Sequence, residues 1–167
     1  MDEGMVRREK VFDFLRSNNI EYTYYEHPEA PTAEIAQSYC AGDGARHCKN
    51  LFLRNYKGDR HYLVVFDYAH KLAIHDLEHL LHQGRLSFAS EKRMERYLAL
   101  RPGSVSPFGL INDTENHVHL FLDENLRNTE LLAFHPNDNR ASVLITTAEF
   151  AKFLATVGNG YEYIKLY

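Results

Sequence analysis

The stretch Arg101–Asp113, R-P-G-S-V-S-P-F-G-L-I-N-D, combines turn residues with a short apolar run. Its Pro102-Gly103 pair is typical of a turn, because proline presets φ and glycine accepts a positive φ. Pro107 has no N–H and pushes the preceding residue toward extended geometry, so we expect a loop here and not a helix. The apolar run that follows predicts a short strand over Phe108–Ile111 that anchors the loop.

The backbone of this loop is a candidate anion site. Gly103, Ser104, Val105 and Ser106 offer consecutive N–H groups, and Gly103 places no side chain in front of them. Such an array can hold a carbonyl oxygen or an oxyanion. The alternative interpretation is an ordinary surface turn, since most loops run over the protein surface.

The composition is that of a globular protein. Of the 167 residues, 44% are apolar and 25% are charged, which predicts a single domain over residues 1–167 with a real core. No apolar run approaches the length of a membrane span, and the N-terminus lacks the apolar region of a secretory signal. With Cys40 and Cys48 as the only cysteines, we expect a reduced, cytoplasmic protein. The net charge of −4 means that a nucleic-acid partner would have to be held by local basic clusters.

Local patterns predict alternating strands and helices along the chain. Ala41–Gly44 predicts a loop that leads into a strand ending near Arg54. Tyr56–Asp59 predicts a hairpin turn, and Leu63–Phe66 predicts a strand that is buried on both faces. Thr146–Glu149 is a capping box, and the apolar spacing after it predicts a helix that ends before Gly158.

Basic residues are concentrated beside the Pro-Gly loop. Lys92, Arg93 and Arg96 lie on the outward face of a predicted helix that Ser90 caps, and Arg101 follows that helix. A run of charges is commonly a solvated surface, and that interpretation stays open. Lys49 is a separate basic residue, at a predicted junction between a loop and a strand.

Two groups of residues suggest metal sites only weakly. His75 and His79 match the H-x-x-E-H pattern of inverted zinc proteases and share a helix face. That face points away from the leucines, and no third ligand is evident, so we interpret it as a solvated polar face. Cys40, His47 and Cys48 lack a standard metal spacing. We therefore expect neither a metal nor another cofactor.

Three stretches carry a family resemblance: Lys49–Leu53 (K-N-L-F-L), Leu86–Ser90 running on to Pro102–Leu110 (P-G-S-V-S-P-F-G-L), and Phe134–Asn139 (F-H-P-N-D-N). Together they resemble the YbaK/prolyl-tRNA-synthetase editing-domain superfamily. The similarity covers nearly the whole chain and is closest to the free-standing ProX-type members, which hydrolyse alanine mischarged onto proline tRNA. The F-H-P-x-x-N stretch favours this alanine-specific branch over the cysteine-specific one.

The resemblance implies an α+β fold with a curled, mostly antiparallel but mixed sheet and packed helices. It implies catalytic roles for Lys49, which positions the terminal adenosine or its phosphate, and for Gly103 and Ser104, whose backbone amides hold the carbonyl oxygen of the aminoacyl ester. The implied substrate contacts come from Asn50, Val105, Ser106, Pro107 and His135, the last of which lines the amino-acid pocket.

The implied partner is tRNA(Pro) that carries alanine, with prolyl-tRNA synthetase as a second partner and neither DNA nor a membrane. Because the protein is acidic as a whole, tRNA binding needs a local positive surface. We predict that acceptor-stem phosphates contact Lys92, Arg93, Arg96 and Arg101.

The implied reaction needs few catalytic side chains. An aminoacyl ester is already activated, so the enzyme mainly positions water and stabilises the developing oxyanion. No Ser-His-Asp or Cys-His constellation stands out in the sequence. Cys48 adjoins Lys49 but faces the opposite way on a regular strand, which argues against covalent catalysis. A water molecule or a substrate hydroxyl remains open as the source of general-base help.

Pocket size explains why such an editing enzyme is needed. A synthetase site shaped for proline cannot strongly reject the smaller alanine, because one or a few carbons contribute only about 1–3 kcal/mol, whereas a second, smaller pocket excludes proline. Clearance of cysteine from the same tRNA is one alternative function. A binding module for tRNA or protein that has lost hydrolysis is another, although Lys49 and Gly103–Pro107 are intact. A zinc hydrolase that uses His75 and His79 is the third.

Overall fold

The sheet is built around a hairpin of two long strands, β2 (Arg46–Asn55) and β3 (His61–Asp67). Every residue of β3 is buried, as the run Leu63–Phe66 predicts. The turn between the strands contains Gly58 at φ +73°, a left-handed conformation that glycine adopts without a steric cost. The predicted strand and its hairpin turn are therefore confirmed.

The computed structural model describes residues 1–40 and 42–167. The predicted loop 41–44 begins at Ala41, which lies outside the described residues. Within the described residues, none of the helices has the length and apolar character needed to cross a bilayer. The other elements are α1 (Glu3–Ser17), β1 (Thr23–Glu26), α2 (Ala33–Tyr39), α3 (Ile74–Leu81), β4 (Leu86–Phe88), α4 (Glu91–Leu98), β5 (Val118–Asp123), β6 (Leu131–Phe134), β7 (Ala141–Thr146), α5 (Thr147–Val157) and β8 (Tyr161–Ile164).

The strands form one mixed sheet in the order β1-β7-β6-β2-β3-β5-β8, and β4 also pairs with β2. Antiparallel pairings join β1 to β7, β7 to β6, and β2 to both β3 and β4. Parallel pairings join β2 to β6, β3 to β5, and β5 to β8. The predicted α+β class with a mixed sheet is confirmed.

Strand β2 changes its neighbour along its length. On one side it pairs with β3 from Cys48 to Arg54. On the other side it pairs with β6 only at Arg46 and His47, and with β4 only from Leu53 to Asn55. The Phe52 oxygen accepts the Ala89 N–H at 2.9 Å, so the segment 48–51 faces a gap between β6 and β4, and this gap gives the sheet a place for a cavity.

The two faces of the sheet are covered by separate hydrophobic clusters. Leu63 and Val65 of β3 belong to the cluster that also takes in the apolar faces of α1 and α5. Val64 and Phe66, which point the other way, belong to the cluster under α3. This alternation buries β3 on both sides. That residues 1–167 form a single domain stays a prediction.

The predicted strand at Phe108–Ile111 is wrong. Residues Pro107–Asn112 form a short 3-10 helix instead. The Ser106 side chain caps it by accepting a hydrogen bond from the Phe108 N–H at 3.1 Å. Pro107 stands at the start of the helix, where its missing N–H costs nothing and its fixed φ suits a helical turn. The same proline that disfavours helix before it therefore favours helix after it.

Candidate active site

A cavity of about 310 Å³ opens beside the segment of β2 that has a strand partner, β3, on one side only. It collects residues from all three sequence stretches that carry the family resemblance. Lys49 and Asn50 come from β2, Gly103 and Val105 from the Pro-Gly loop, and His135 from the end of β6. The other lining residues are Pro31, Thr32, Ala33, Glu34, Ala36, His47, Cys48, Leu51, Ala133, Phe134 and Ser142.

Lys49 is fixed by two oxygen acceptors. Its Nζ lies 3.2 Å from Oε1 of Glu34 on α2 and donates to the backbone oxygen of His70, also at 3.2 Å. The pKa of the Glu34 carboxyl lies below its usual value, because its own backbone N–H and then Lys49 stabilise the carboxylate. The ammonium group is thus held at the cavity, where it can meet a phosphate or a polarised oxygen.

Gly103 brings the Pro-Gly loop close to the chain around Pro31. Its φ is +82°, and a Cβ placed on it would lie 3.1 Å from Pro31 Cβ and 3.3 Å from Asn139 Nδ2. A side chain at this position would be strained by the backbone and crowded by its neighbours. Among the described residues, the N–H groups of Gly103 and Val105 have no hydrogen-bond acceptor in the protein. These two donors are available to a ligand.

The expected run of four free amides is corrected at Ser104. Its N–H donates to the Arg101 backbone oxygen at 3.1 Å and so closes the turn. Ser104 borders a different surface depression, with Arg101 and Pro102. Because its amide is already used, Ser104 is not an oxyanion donor in this arrangement, and the catalytic role expected for it is not supported.

Ser106 and Pro107 are also placed differently from the expectation. Both are buried, and neither lines the cavity. Their contacts belong to the start of the 3-10 helix, which fixes the end of the loop. The predicted substrate contacts of Ser106 and Pro107 therefore give way to a structural role, since neither side chain faces the space that a substrate would fill.

His135 connects two backbone segments. Its Nδ1 lies 2.8 Å from the Ala141 oxygen, and its Nε2 lies 2.9 Å from the Ala30 oxygen. Burial lowers the pKa of the imidazole, so the ring is neutral near pH 7 and donates to only one of these two oxygens. Both ring nitrogens face backbone oxygens, so His135 is placed to brace the cavity wall rather than to exchange protons.

The segment 27–31 joins the other parts of the site, and sequence reasoning identified it only as a break after β1. The His27 N–H donates to the Arg140 oxygen, and the Ala30 N–H donates to the Asn139 oxygen, both at 2.9 Å. These bonds hold Pro31 against Gly103. The only sequence signal was its pair of prolines, which predict a stiff, extended segment.

Asn50 lines the cavity with an incomplete set of hydrogen bonds. Its Nδ2 donates to the Cys48 oxygen at 3.4 Å. Its Oδ1 is buried and has no partner among the described residues. A buried acceptor without a donor is costly, so a ligand that supplies one would be stabilised here.

Cys48 is not placed as a nucleophile. Its side chain packs in the hydrophobic cluster with Phe52, and burial raises the pKa of its thiol far above the usual value. The thiolate that covalent catalysis requires is therefore disfavoured. Cys48 nevertheless lines the cavity together with Lys49, so the burial of its thiol, and not its direction, argues against covalent catalysis.

One suggested metal site lacks a third ligand among the described residues, and the structure brings part of the other together. His75 and His79 are exposed on α3, and in the described part of the chain they belong to no group of three ligands. Cys40 and His47 do approach each other, but their companion is Asp43 and not Cys48. The ligand atoms of Cys40, Asp43 and His47 all lie within 4.8 Å of one another.

Of the four residues predicted to bind tRNA, two contact other protein groups and two are exposed without an ion pair among the described residues. Arg93 donates to the Gly58 oxygen at 2.9 Å, and Arg101 pairs with Glu3 at 3.2 Å. Lys92 and Arg96 are exposed, and neither forms an ion pair within residues 1–40 and 42–167. Their binding to tRNA stays a prediction, with Lys92 and Arg96 the members that are free to contact phosphate.

The family follows from a direct match. A family model for the aminoacyl-tRNA editing domain matches residues 27–153, a span that includes every residue lining the cavity. The chain belongs to this family. The predicted resemblance to the editing-domain superfamily is confirmed.

Two relatives show which editing proteins this chain is similar to. It is 38% identical over 162 residues to the prolyl-tRNA editing protein ProX of Acetoanaerobium sticklandii, covering 97% of this chain and 99% of the relative. It is also 34% identical to the prolyl-tRNA synthetase associated domain-containing protein 1 of Danio rerio, covering 88% of this chain and 80% of the relative.

Solved structures support the fold of the editing domain. A structure described as a candidate trans-editing enzyme for prolyl tRNA synthetase superposes with a TM-score of 0.72 at 20% identity, covering 95% of this chain and 96% of that one. The hypothetical protein APE2540 superposes with a TM-score of 0.71 at 15% identity, covering 93% and 98% of the two chains. At these identities the likeness concerns the fold alone.

Proposed function

We propose that this editing domain hydrolyses the ester bond of alanine mischarged onto tRNA(Pro) and spares prolyl-tRNA(Pro). The observation that carries the proposal is the meeting of Lys49, Gly103 and His135 at one cavity, although they are far apart in the chain. The name of the Acetoanaerobium sticklandii relative supports prolyl-tRNA as the substrate class. Such a protein works in the cytoplasm, with tRNA(Pro) and prolyl-tRNA synthetase as its partners.

The ester carbonyl is polarised by backbone donors in this proposal. The N–H groups of Gly103 and Val105 point to no protein acceptor among the described residues, so they are free to hold the oxyanion that forms when water attacks. A single well-placed donor of this kind is worth about 10²–10³ in rate. Because these donors are backbone groups, they are in place before the substrate arrives.

The two ends of the substrate are held by β2. Lys49 binds the terminal adenosine or its phosphate, and its ammonium already lies between two oxygen acceptors that a phosphate can replace. Asn50 accepts a hydrogen bond from the α-ammonium group of the amino acid, which satisfies its unpartnered Oδ1. These two contacts orient the ester toward the Pro-Gly loop.

The choice between alanine and proline depends on size. The wall on one side is Pro31, held by the backbone bonds of Ala30 and by His135. A wall that cannot yield excludes the proline ring and admits a methyl group, which is the second sieve of a double-sieve system. The wall is held in place because the N–H groups of His27 and Ala30 are bonded to the oxygens of Arg140 and Asn139.

The test is deacylation of Ala-, Cys- and Pro-tRNA(Pro) measured side by side under single-turnover conditions. We expect rapid hydrolysis of Ala-tRNA(Pro) and none of Pro-tRNA(Pro). Faster hydrolysis of Cys-tRNA(Pro) would assign the cysteine activity instead. A folded protein that binds tRNA(Pro) but hydrolyses none of the three would support an inactive binding module.

A further inference from the structure

A histidine–carboxylate pair lies in the cavity wall and has no part in the roles described above. His47 lines the cavity, and its Nε2 lies 3.1 Å from Oδ2 of Asp43. Tyr25 donates its hydroxyl to the same Oδ2 at 3.0 Å, and the Ala45 N–H donates to Oδ1 at 2.8 Å. The carboxylate is thus held in place on both oxygens, and it orients the imidazole.

This geometry assigns the protons of the His47 ring. A carboxylate only accepts hydrogen bonds, so Nε2 of the neutral imidazole carries the proton that Asp43 receives. The lone pair is then on Nδ1. Among the described residues, Nδ1 makes no hydrogen bond, and it is not one of the side-chain atoms sealed from solvent without a partner. His47 therefore presents a basic nitrogen that no described protein group uses.

The other ionisable groups of the cavity are poorly suited to take a proton from water. His135 has both ring nitrogens against backbone oxygens. Lys49 is an ammonium group paired with Glu34, whose carboxylate is in turn stabilised by that pairing. Cys48 is packed in the core. Of these groups, only His47 has a free basic atom together with a partner that orients it.

We propose that His47 is the general base of the deacylation and that Asp43 positions it, an inference that rests on the function proposed above. His47 and Lys49 are two residues apart on β2 and so share one face of the strand. A base on this face, near the lysine that holds the end of the tRNA, is beside the ester. The arrangement of base and orienting carboxylate is the one that activates nucleophiles in many hydrolases.

The proton transfers balance as follows. Nδ1 of His47 takes a proton from water as the water oxygen bonds to the ester carbonyl carbon. The bond from that carbon to the ribose oxygen then breaks, and the ribose oxygen takes the proton back from Nδ1. The products are tRNA with a free hydroxyl group and the amino acid, whose new carboxyl group loses its proton to solvent. The imidazole returns to its starting state.

The decisive experiment compares the pH profiles of the wild-type protein and His47→Gln in single-turnover hydrolysis of Ala-tRNA(Pro). Glutamine can keep a hydrogen bond to Asp43 but cannot accept a proton from water. We expect the rate to fall by about 10²-fold or more, the usual contribution of a general base, and the acid limb due to the imidazole to disappear. The α-ammonium of the substrate is present with both proteins, as are the other titratable groups around His47. These are Tyr25, His27, Glu34, Cys40, Lys49 and His135.

Two further variants separate catalysis from structure. Asp43→Asn should lower the single-turnover rate while the affinity for Ala-tRNA(Pro) stays near the wild-type value, because the imidazole loses the carboxylate that orients it. His119→Ala is the matched control: its Nε2 lies 3.1 Å from a Glu162 oxygen, the same distance as in the pair His47–Asp43, but it is outside the cavity. We expect His119→Ala to keep the wild-type rate and profile. Thermal melts of all variants report on folding.

The outcomes distinguish this inference from the proposed function. If the wild-type protein hydrolyses Ala-tRNA(Pro) and folded His47→Gln keeps its acid limb, the base is another group and the inference fails alone. If chelators abolish activity and Zn²⁺ restores it, Asp43 and His47 act as metal ligands with Cys40, which also overturns the inference. A wild-type protein that hydrolyses no aminoacyl-tRNA(Pro) overturns both.

Discussion

Replacing Gly103 by alanine tests whether the Pro-Gly loop acts through its backbone. The residue has φ +82°, and left-handed geometry costs a residue with a Cβ about 1–2 kcal/mol. The new Cβ would also lie 3.1 Å from Pro31 Cβ, whereas carbon atoms pack best at about 3.5–4.0 Å. Pro31 cannot easily withdraw, because the N–H of the adjoining Ala30 is bonded to the Asn139 oxygen and the Ala30 oxygen lies against His135.

The loop must therefore move by several tenths of an ångström, and its free amides move with it. Losing one aligned oxyanion donor costs about 10²–10³ in rate, and we expect Gly103→Ala to lose at least about 10²-fold in single-turnover hydrolysis of Ala-tRNA(Pro). The matched control is Gly84→Ala. Gly84 has φ +77° and nothing within 4 Å of an added Cβ, so it isolates the backbone cost.

Both variants should unfold at lower denaturant concentration than the wild-type protein, Gly103→Ala by the larger amount because it adds the contact with Pro31 to the backbone cost, and only Gly103→Ala should lose activity. Chemical denaturation measures the first effect, and the deacylation assay measures the second. A folded Gly103→Ala protein that hydrolyses Ala-tRNA(Pro) at the wild-type rate would refute the oxyanion role of the loop. An equal loss of activity in Gly84→Ala would show that lowered stability, and not loop geometry, was the cause.

Three other predictions concern charge. Lys49→Ala should abolish deacylation while the melting temperature stays near wild type, and near-normal hydrolysis by the folded variant would remove Lys49 from the mechanism. Lys92→Ala combined with Arg96→Ala should weaken tRNA(Pro) binding. The slope of log affinity against log salt concentration should fall by about 0.7–0.9 for each phosphate that is no longer bound. Unchanged affinity and slope would show that these side chains are only solvated surface. Burial, with the nearby His117, lowers the pKa of His61 from 6.5 to about 4. Between these two pH values, the His61 imidazole is protonated in the unfolded chain and neutral in the folded chain. Stability should fall as pH drops through this window, and thermal melts should show a smaller fall in His61→Phe than in the wild-type protein.

Much of the fold follows from local patterns in the sequence. The buried run Leu63–Phe66 is a strand because a continuous apolar segment suits a sheet covered on both faces. Thr146 caps α5 by accepting the Glu149 N–H at 3.1 Å, and the helix ends at Gly158 as expected. These elements are encoded within a few residues, so pattern and propensity are enough.

The misassigned parts depend on distant contacts or on competing local effects. Pro107 argues against helix on one side and for helix on the other, and the cap from Ser106 decides the outcome. The turn that consumes the Ser104 amide cannot be distinguished from an open loop by composition alone. Pro31 enters the site through hydrogen bonds between segments more than a hundred residues apart, for which one sequence carries no signal.

The pairing of β1 with β7 has a consequence for the newly made protein. Glu26 is paired with Ala141, a separation of 141 − 26 = 115 residues. At a synthesis rate of about 5–20 residues per second, the first strand waits roughly 6–23 s for its partner. Pro31 follows that strand directly, so one wall of the cavity has no anchor until most of the chain has left the ribosome. A nascent chain released early would therefore carry Lys49 and Gly103 without a pocket to use them.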